Sequence, residues 1–364
     1  MKPVVFHELL LPEEAVAKVE SVLGGLKPLG SERVSLNAAA GRVLAETVCA
    51  KADSPPFDRS EVDGYAVAAQ SVYGAEEDKP IALRIIGESV VGESPKFEVK
   101  KDETAEIATG APIPRGANAV VMVEYTKREN QSVLVYRSVV PGENIAQTGS
   151  DVSIGDVALR AGTLLTPREI AVLAALGYGD VDVYRKPKVA VFSTGDEVVP
   201  PGRTLPAAKV FDINGVTLIT LFQENGAAAD YGGILKDDPP EIKRTLAKGI
   251  EEYDILVTSG STSAGLGDVI YRIFDELGSP GIVVHGLRIK PGKPTVAAVV
   301  NGKIALGLPG FPVSAMIAFA VFMKPLLAKL TGMGHQQQAV TYPCSMALRL
   351  QAGKGRREFI PVNI

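Results

Sequence analysis

Five short segments combine lysines, carboxylates and small residues in ways that could handle an anion. Lys290-Pro291-Gly292-Lys293-Pro294 holds two ammonium groups on a proline-stiffened turn, where each could face a phosphate, an oxyanion or solvent. Ser259-Gly260-Ser261-Thr262-Ser263-Ala264-Gly265-Leu266-Gly267-Asp268 is rich in hydroxyls and glycine. A loop of that kind, running from a strand into a helix, can cradle a phosphate with its backbone amides. Ser259, Gly260 and Ser263 are its candidate ligand residues, and it lacks the Gly-Lys-Ser/Thr of a Walker loop. Asp268 suits a magnesium ion better than direct phosphate contact, because carboxylate and phosphate repel; it could equally cap the following helix. Glu197 in Ser193-Thr194-Gly195-Asp196-Glu197 and Asp237 in Lys236-Asp237-Asp238-Pro239 could complete a metal site or act as bases. Asp237 could also cap the helix that Pro239 opens. Leu308-Pro309-Gly310-Phe311-Pro312 closes the set. Lysines for anions plus carboxylates for a divalent ion fit phosphoanhydride chemistry.

Each of these segments follows an apolar run. KVAVFST, AAADYGGIL, DILVTSG and the apolar IVVHGLRI read as strands. The first three alternate with the helical patterns INGVTLITLFQENG, PPEIKRTLAKGIEE and DVIYRIFDELG. Such alternation predicts a mostly parallel, doubly wound sheet covered on both faces, whose ligands sit beyond the carboxyl ends of the strands. TVAAVV and IALGL, joined by Asn301-Gly302, read as a hairpin, and a last helix runs from about Pro312 to Leu330.

The first half of the chain has a different texture. Pro12-Glu13-Glu14 starts a helix that Gly24-Gly25 stops, with Val16, Val19, Val22 and Leu23 as its buried face. A short helix is expected from Asn37 to Leu44. From about Ser60 to Val140, runs such as IALRIIGESVVG, AVVMVEYT and SVLVYRSVV predict an inserted antiparallel β domain. Asp63-Gly64-Tyr65 and Thr109-Gly110-Ala111-Pro112 look like tight turns within it, and Asp58-Arg59-Ser60-Glu61 is unusually polar for a strand approach. A helix, TPREIAVLAALG, follows the Gly-rich stretch from Pro141 to Gly162. The expected division is therefore a helical part of a linking domain (1–50), the inserted β domain (51–141), a return segment of the linking domain (142–187), the αβα domain (188–331) and an incomplete β domain (332–364).

Composition narrows the classes. The 364 residues carry a formal charge of −4, so no global basic field supports nucleic acid binding. Two cysteines and three scattered histidines are too few for a disulfide framework or a structural zinc site. The N-terminus has acids where an export signal would run apolar, and a cytoplasmic location is expected. The uncharged run from Ile304 to Met323 contains Leu-Pro-Gly-Phe-Pro, expected to break a helix and leave too little to span a membrane.

In order along the chain, PPFDRSEVDGYAV, ATGAPIPRGANAVV, PGENIAQTGSDVSIGD, VFSTGDEVVPPG, LKDDPP, SGSTSAGLGD, IKPGKP and LPGFPVSA resemble the molybdopterin molybdenumtransferases. These are the MoeA-type molybdenum insertases, which include the C-terminal domain of gephyrin. The resemblance implies an elongated multi-domain α/β homodimer, with an αβα molybdopterin-binding domain, an inserted β domain, a linking domain and the start of a C-terminal β domain. It implies insertion of molybdate into adenylylated molybdopterin, with magnesium-assisted phosphoanhydride cleavage and AMP release, and a molybdopterin adenylyltransferase as the donor of that substrate. By motif match Asp63, Glu197, Asp237 and Asp268 would be catalytic, with Asp268 and Glu197 holding magnesium. Thr109, Asp151, Ser259, Gly260, Ser263, Lys290, Lys293, Pro309 and Pro312 would bind substrate. Three positions depart from the family pattern: Ala146-Gln147-Thr148 replaces arginines, Ser261 a glycine and Phe311 an asparagine. These could alter anion selectivity towards tungstate. The chain also stops where the family's C-terminal β domain would be starting. A nucleotidyl transferase that adenylylates molybdopterin and a non-enzymatic gephyrin-like scaffold are the alternatives; the DGYA and TGAP motifs argue against the former, and no exposed peptide motif supports the latter.

Overall fold

The structure, a computed structural model, describes residues 9–260, 267–333, 343 and 355–362. Contacts divide the chain into two compact units: Met1–Glu46, Ala161–Thr166 and Asp180–Ile364 form one, Thr47–Arg160 and Pro167–Gly179 the other.

The first unit contains a six-stranded sheet. Its strands are β1 (Lys188–Thr194), β2 (Ala228–Leu235), β3 (Ile255–Ser259), β4 (Pro280–His285), β5 (Val296–Val300) and β6 (Lys303–Leu308), in the order β2-β1-β3-β6-β5-β4. Only β5 runs against the others. Its reversal is the tight turn at Asn301-Gly302, where both residues take positive φ, 51° and 80°. Side chains alternate across each strand. Val189 and Val191 enter one core with Phe222, Phe319 and Leu327, whereas Ala190 and Phe192 enter the other with Ile242, Leu246 and Phe274. Burial on both faces is why these strands read as unbroken apolar runs.

The helices follow the pattern the sequence predicts: α1 (Ile213–Glu224), α2 (Pro239–Glu252) and α3 (Gly267–Glu276). In α2 the buried residues Ile242, Leu246, Gly249 and Ile250 form one stripe. The last helix, α4 (Pro312–Leu330), corrects the expectation about the uncharged run. Pro312 opens this helix, where its missing N–H costs nothing, so 19 residues remain helical. That is long and apolar enough to cross a membrane by length and composition, but Phe319, Phe322, Leu326 and Leu327 are packed into the core. A π-helical turn at Phe319–Met323 precedes Pro325, which cannot donate to the regular ladder.

Two further expectations are corrected here. The N-terminal helix Pro12–Val22 buries Ala15 and Val19, whereas Val22 is exposed. The helix expected from Asn37 to Leu44 is only a short 3-10 turn, Leu36–Ala38. Val43 and Leu44 instead bridge Leu164 and Val183, because a neighbouring strand offers hydrogen bonds that so short a helix cannot match. Near the C-terminus, Arg357–Glu358 pairs in parallel with Ile289–Lys290; the expected strand AVTYPCSMALRLQ lies outside the described residues apart from Pro343.

The second unit is built on another six-stranded sheet. Its order is Ala119–Met122, Gly64–Val67, Glu103–Ile107, Ile81–Ser89, Ser132–Val135 and Thr126–Glu129. The expected antiparallel sheet needs one correction, since Ile81–Ser89 and Glu103–Ile107 run parallel. The stretch from Val90 to Asp102 is long enough to return the chain to the same end. The helix Pro167–Ala175 belongs to this unit as well.

Candidate functional site

In the first unit the candidate segments gather at the carboxyl ends of the parallel strands, where an open α/β sheet binds its ligands. Gly195-Asp196-Glu197 follows β1, Lys236-Asp237-Asp238 follows β2, Ser259-Gly260 ends β3 and Pro309-Gly310 follows β6. Lys290 and Lys293 lie in the connection from β4 to β5, at the same end of the sheet. Gly292, between them, has φ 110°, and a Cβ there would lie 3.4 Å from the Ser314 carbonyl oxygen at the start of α4. The lysine turn and the turn after β6 are thus neighbours.

The sheet order places a topological switch between β1 and β3, because the chain leaves β1 for β2 on one side and returns to β3 on the other. At that switch the two strand ends nearly touch. Gly260 has φ 107°, and a Cβ would lie 2.4 Å from the Thr194 carbonyl oxygen. The Gly260 amide donates to Leu308 O at 3.2 Å, and Ser259 Oγ donates to Pro309 O at 3.2 Å. Both donors therefore brace the turn after β6. Ser263 lies outside the described residues.

The acids occupy distinct positions. Glu197 is exposed and its carboxylate folds back over Gly195. The Asp237 amide points at Asp196 Oδ1, 3.4 Å away, and Asp238 rather than Asp237 occupies the cap position of α2. α3 begins at Gly267, which puts Asp268 inside its first turn rather than at the cap; its side chain lies outside the described part. Among the described residues no three carboxylate, histidine or cysteine groups stand close enough to hold a metal ion. Glu197 alone of the magnesium pair can be assessed, and it offers one carboxylate. Lys290 Nζ donates to Glu358 Oε1 at 3.0 Å, so the two-strand pairing near the C-terminus reaches this turn. Pro309 is buried, Pro312 half-buried and Phe311 stands 80% exposed.

Two residues that sequence reading passed over hold this edge together. Asp212 caps α1: its buried carboxylate accepts from Ser193 Oγ at 2.7 Å, Gly215 N at 2.8 Å and Tyr231 Oη at 2.6 Å. Burial, and then the bond to Asp212, push the Tyr231 phenol well above its usual range, so it remains a donor. Asn214, two residues on, donates through Nδ2 to Ser259 Oγ at 2.8 Å and to Gly310 O at 2.7 Å. The available signal was the Asp212-Ile213-Asn214 triplet at a helix start, a capping pattern that carries no tertiary information by itself.

In the second unit, Asp63 and Thr109 are brought together although 46 positions separate them. The Thr109 amide and hydroxyl both donate to Asp63 Oδ1, at 2.7 and 2.8 Å. Those bonds hold the Asp63 carboxyl below its usual range, the amide contributing most. The same arrangement recurs at Asp58, which accepts from the Thr148 amide and hydroxyl at 2.8 and 2.7 Å and is lowered for the same reason. Thr148, in the segment without arginines, thus anchors the polar stretch that begins at Asp58. Asp151 is exposed and its amide donates to Ser54 O at 2.9 Å. In the first unit, a cavity of about 250 Å³ lined by Arg42, Tyr184, Arg185 and Lys186 opens at the other end of the sheet from Glu197, Asp237 and Lys290.

Residues 11–177 match a sequence family described as the MoeA N-terminal region (domains I and II), and residues 190–329 match one described as a probable molybdopterin binding domain. A molybdopterin molybdenumtransferase of Nostoc sp. is 38% identical over 306 residues, 83% of this chain and 70% of that protein. One from Haemophilus influenzae is 32% identical over 333 residues, 91% of this chain and 81% of its own length. The crystal structure of the molybdopterin biosynthesis MoeA protein from Pyrococcus horikosii superposes with a TM-score of 0.76 at 38% identity, covering 90% of this chain and 81% of that one. Fold, motif order and relatives agree: this chain belongs to the molybdopterin molybdenumtransferase family, enzymes of molybdenum cofactor biosynthesis.

Proposed function

We propose that this transferase inserts molybdate into adenylylated molybdopterin, cleaving the phosphoanhydride and releasing AMP. The observation that carries the reading is the gathering of Glu197, Asp237, Ser259-Gly260 and the Lys290–Lys293 turn at one edge of one sheet. Lys290 and Lys293 supply positive charge for an oxyanion and for the pterin phosphate. Glu197 and Asp237 face the same edge as carboxylates, which anionic substrates tolerate when a divalent cation lies between them. Magnesium enters this reading with Glu197 and Asp268 as its ligands and supplies counter-charge to the phosphates. Asp63, kept ionised by Thr109, belongs in the reading as the contribution of the inserted β domain, and Asp151 as that of the return segment of the linking domain. Pro309 and Pro312 shape the floor, and Phe311 and Ser261 are the positions where tungstate could be favoured over molybdate. We also propose a homodimer that receives its substrate from a molybdopterin adenylyltransferase in the cytoplasm.

The test is AMP release from adenylylated molybdopterin, with magnesium, in the presence and absence of molybdate and then of tungstate. Oxyanion-dependent release with metal retained on the pterin supports the reading and reports the anion preference. Consumption of ATP with formation of adenylylated molybdopterin would replace it with nucleotidyl transfer.

A further inference from the structure

The side-chain oxygen of Asn214 is a buried acceptor that no donor among the described residues reaches. Asn214 is 9% exposed, and its Oδ1 is buried with no hydrogen-bond partner among the described residues. Its Nδ2 is committed to Ser259 Oγ and to the Gly310 carbonyl, at 2.8 and 2.7 Å. Turning the amide over would set two acceptors against each other at Gly310, so the orientation is fixed by that carbonyl. The residue is immobilised from behind as well, since Asp212 locks the first turn of α1 through Ser193, Gly215 and Tyr231.

A buried acceptor left unpaired is costly, and native proteins rarely keep one without a use. The position says what the use is. Asn214 bridges the ends of β3 and β6 beside the switch between β1 and β3, where ligands of open α/β sheets bind. Its amide nitrogen lies against the Gly310 carbonyl oxygen, and Ser259, the other partner of that nitrogen, donates to the Pro309 carbonyl. As a bare acceptor, Oδ1 itself repels an oxyanion or an ionised phosphate oxygen. A neutral N–H or O–H would complete the one missing bond.

We propose that Asn214 is a substrate-recognition residue whose Oδ1 accepts a hydrogen bond from a neutral donor on the substrate, a pterin N–H or a ribose hydroxyl, separately from the charged groups that hold the phosphates and the oxyanion. The proposal rests on the reading of adenylylated molybdopterin as substrate. It makes Asn214 a specificity determinant, since a site built to hydrogen-bond a donor discriminates sharply against an analogue that lacks it.

Calorimetry on the full chain tests this with paired probes. The ribose arm compares AMP with 2′-deoxy-AMP and 3′-deoxy-AMP; the pterin arm compares pterin with 3-methylpterin and with 4-hydroxypteridine, which lacks the exocyclic amino group. In the wild type one donor-deleted probe should bind about tenfold more weakly than its parent, and the arm in which that occurs identifies the donor. Asn214→Ala should bind that parent and analogue equally. Tyr231→Phe, which removes one bond to Asp212 behind the first turn of α1 and leaves Oδ1 in place, should retain the discrimination. Equal binding of every pair in the wild type overturns the proposal without any variant, and so does undiminished discrimination in Asn214→Ala. Failure of the wild type to bind either AMP or pterin overturns the substrate reading and this proposal together.

Discussion

Thr109 gives both its backbone N–H and its hydroxyl to a single oxygen of Asp63, at 2.7 and 2.8 Å. The other carboxylate oxygen accepts no hydrogen bond among the described residues and stands exposed at the edge of the β domain. Two donors on one oxygen orient the group and favour its charged form. The DGYA and TGAP turns are therefore one device. Asp63→Asn keeps the shape and removes the charge, and should lower AMP release by at least about tenfold with an unchanged circular dichroism spectrum. Thr109→Val removes only the hydroxyl donor and should cost less, about threefold. Wild-type rates in Asp63→Asn would remove Asp63 from the site.

The Arg185–Asp254 pair predicts an acid-side weakness. Burial pushes the Asp254 carboxyl up, but the Arg185 guanidinium at 2.9 and 3.1 Å and the Lys188 amide at 2.8 Å more than reverse this and leave it below its usual range. A lowered carboxyl contributes stability that is complete above the ordinary aspartate range, about pH 4, and is lost as the pH falls through the folded value. Asp254→Asn should destabilise the first unit by about 1–2 kcal/mol at pH 7, between the values for exposed and buried pairs. Urea melts at pH 3 should show a smaller gap between variant and wild type. An equal gap at both pH values would rule out the pair as its source.

Gly260 is confined by both the backbone and the side chain of Thr194. With φ at 107° and the Thr194 carbonyl 2.4 Å from where a Cβ would sit, Gly260→Ala requires the ends of β1 and β3 to separate. The expected loss is at least about 2 kcal/mol in chemical denaturation. Gly302→Ala is the control: its φ is 80° but nothing lies within 4 Å, so it should cost only about 1 kcal/mol. Equal losses at the two positions would show that the close approach at Gly260 does not matter.

Lys290 is already engaged by Glu358, 3.0 Å away. On the proposed function, neutralising that carboxylate should leave more of the lysine's field for an incoming oxyanion. Glu358→Gln should lower the KM for molybdate by about threefold, and Lys290→Gln should raise it by about tenfold, both effects shrinking at high salt. Steady-state AMP release at two ionic strengths measures this. An unchanged KM in Lys290→Gln would place the anion elsewhere.

Much of the αβα domain was legible because its signals are local. A strand buried on both faces must be apolar throughout, so KVAVFST and DILVT declare themselves, and Asn301-Gly302 accepts the positive φ of a tight hairpin. The short helix expected at Asn37–Leu44 failed for the complementary reason: its apolar residues answer to Leu164 and Val183, far along the chain. The parallel pair in the β domain was hidden likewise, since a strand's composition does not record which way its neighbour runs.

The sequence by itself carried a motif resemblance to the family, and its residue types and spacing determined the alternation of strands and helices and the placing of lysines, carboxylates and small residues after strand ends. Tertiary structure alone decided that β1 and β3 flank the switch, that Asp63 answers to Thr109 and Asp58 to Thr148, and that Asn214 ties β3 to the turn after β6 while leaving one oxygen unpaired. Hydrophobic pattern and turn chemistry act over a few residues and are written in the chain. Hydrogen-bond satisfaction is a property of a place in space, set by groups tens of residues apart, and exists only once the sheet has closed around it.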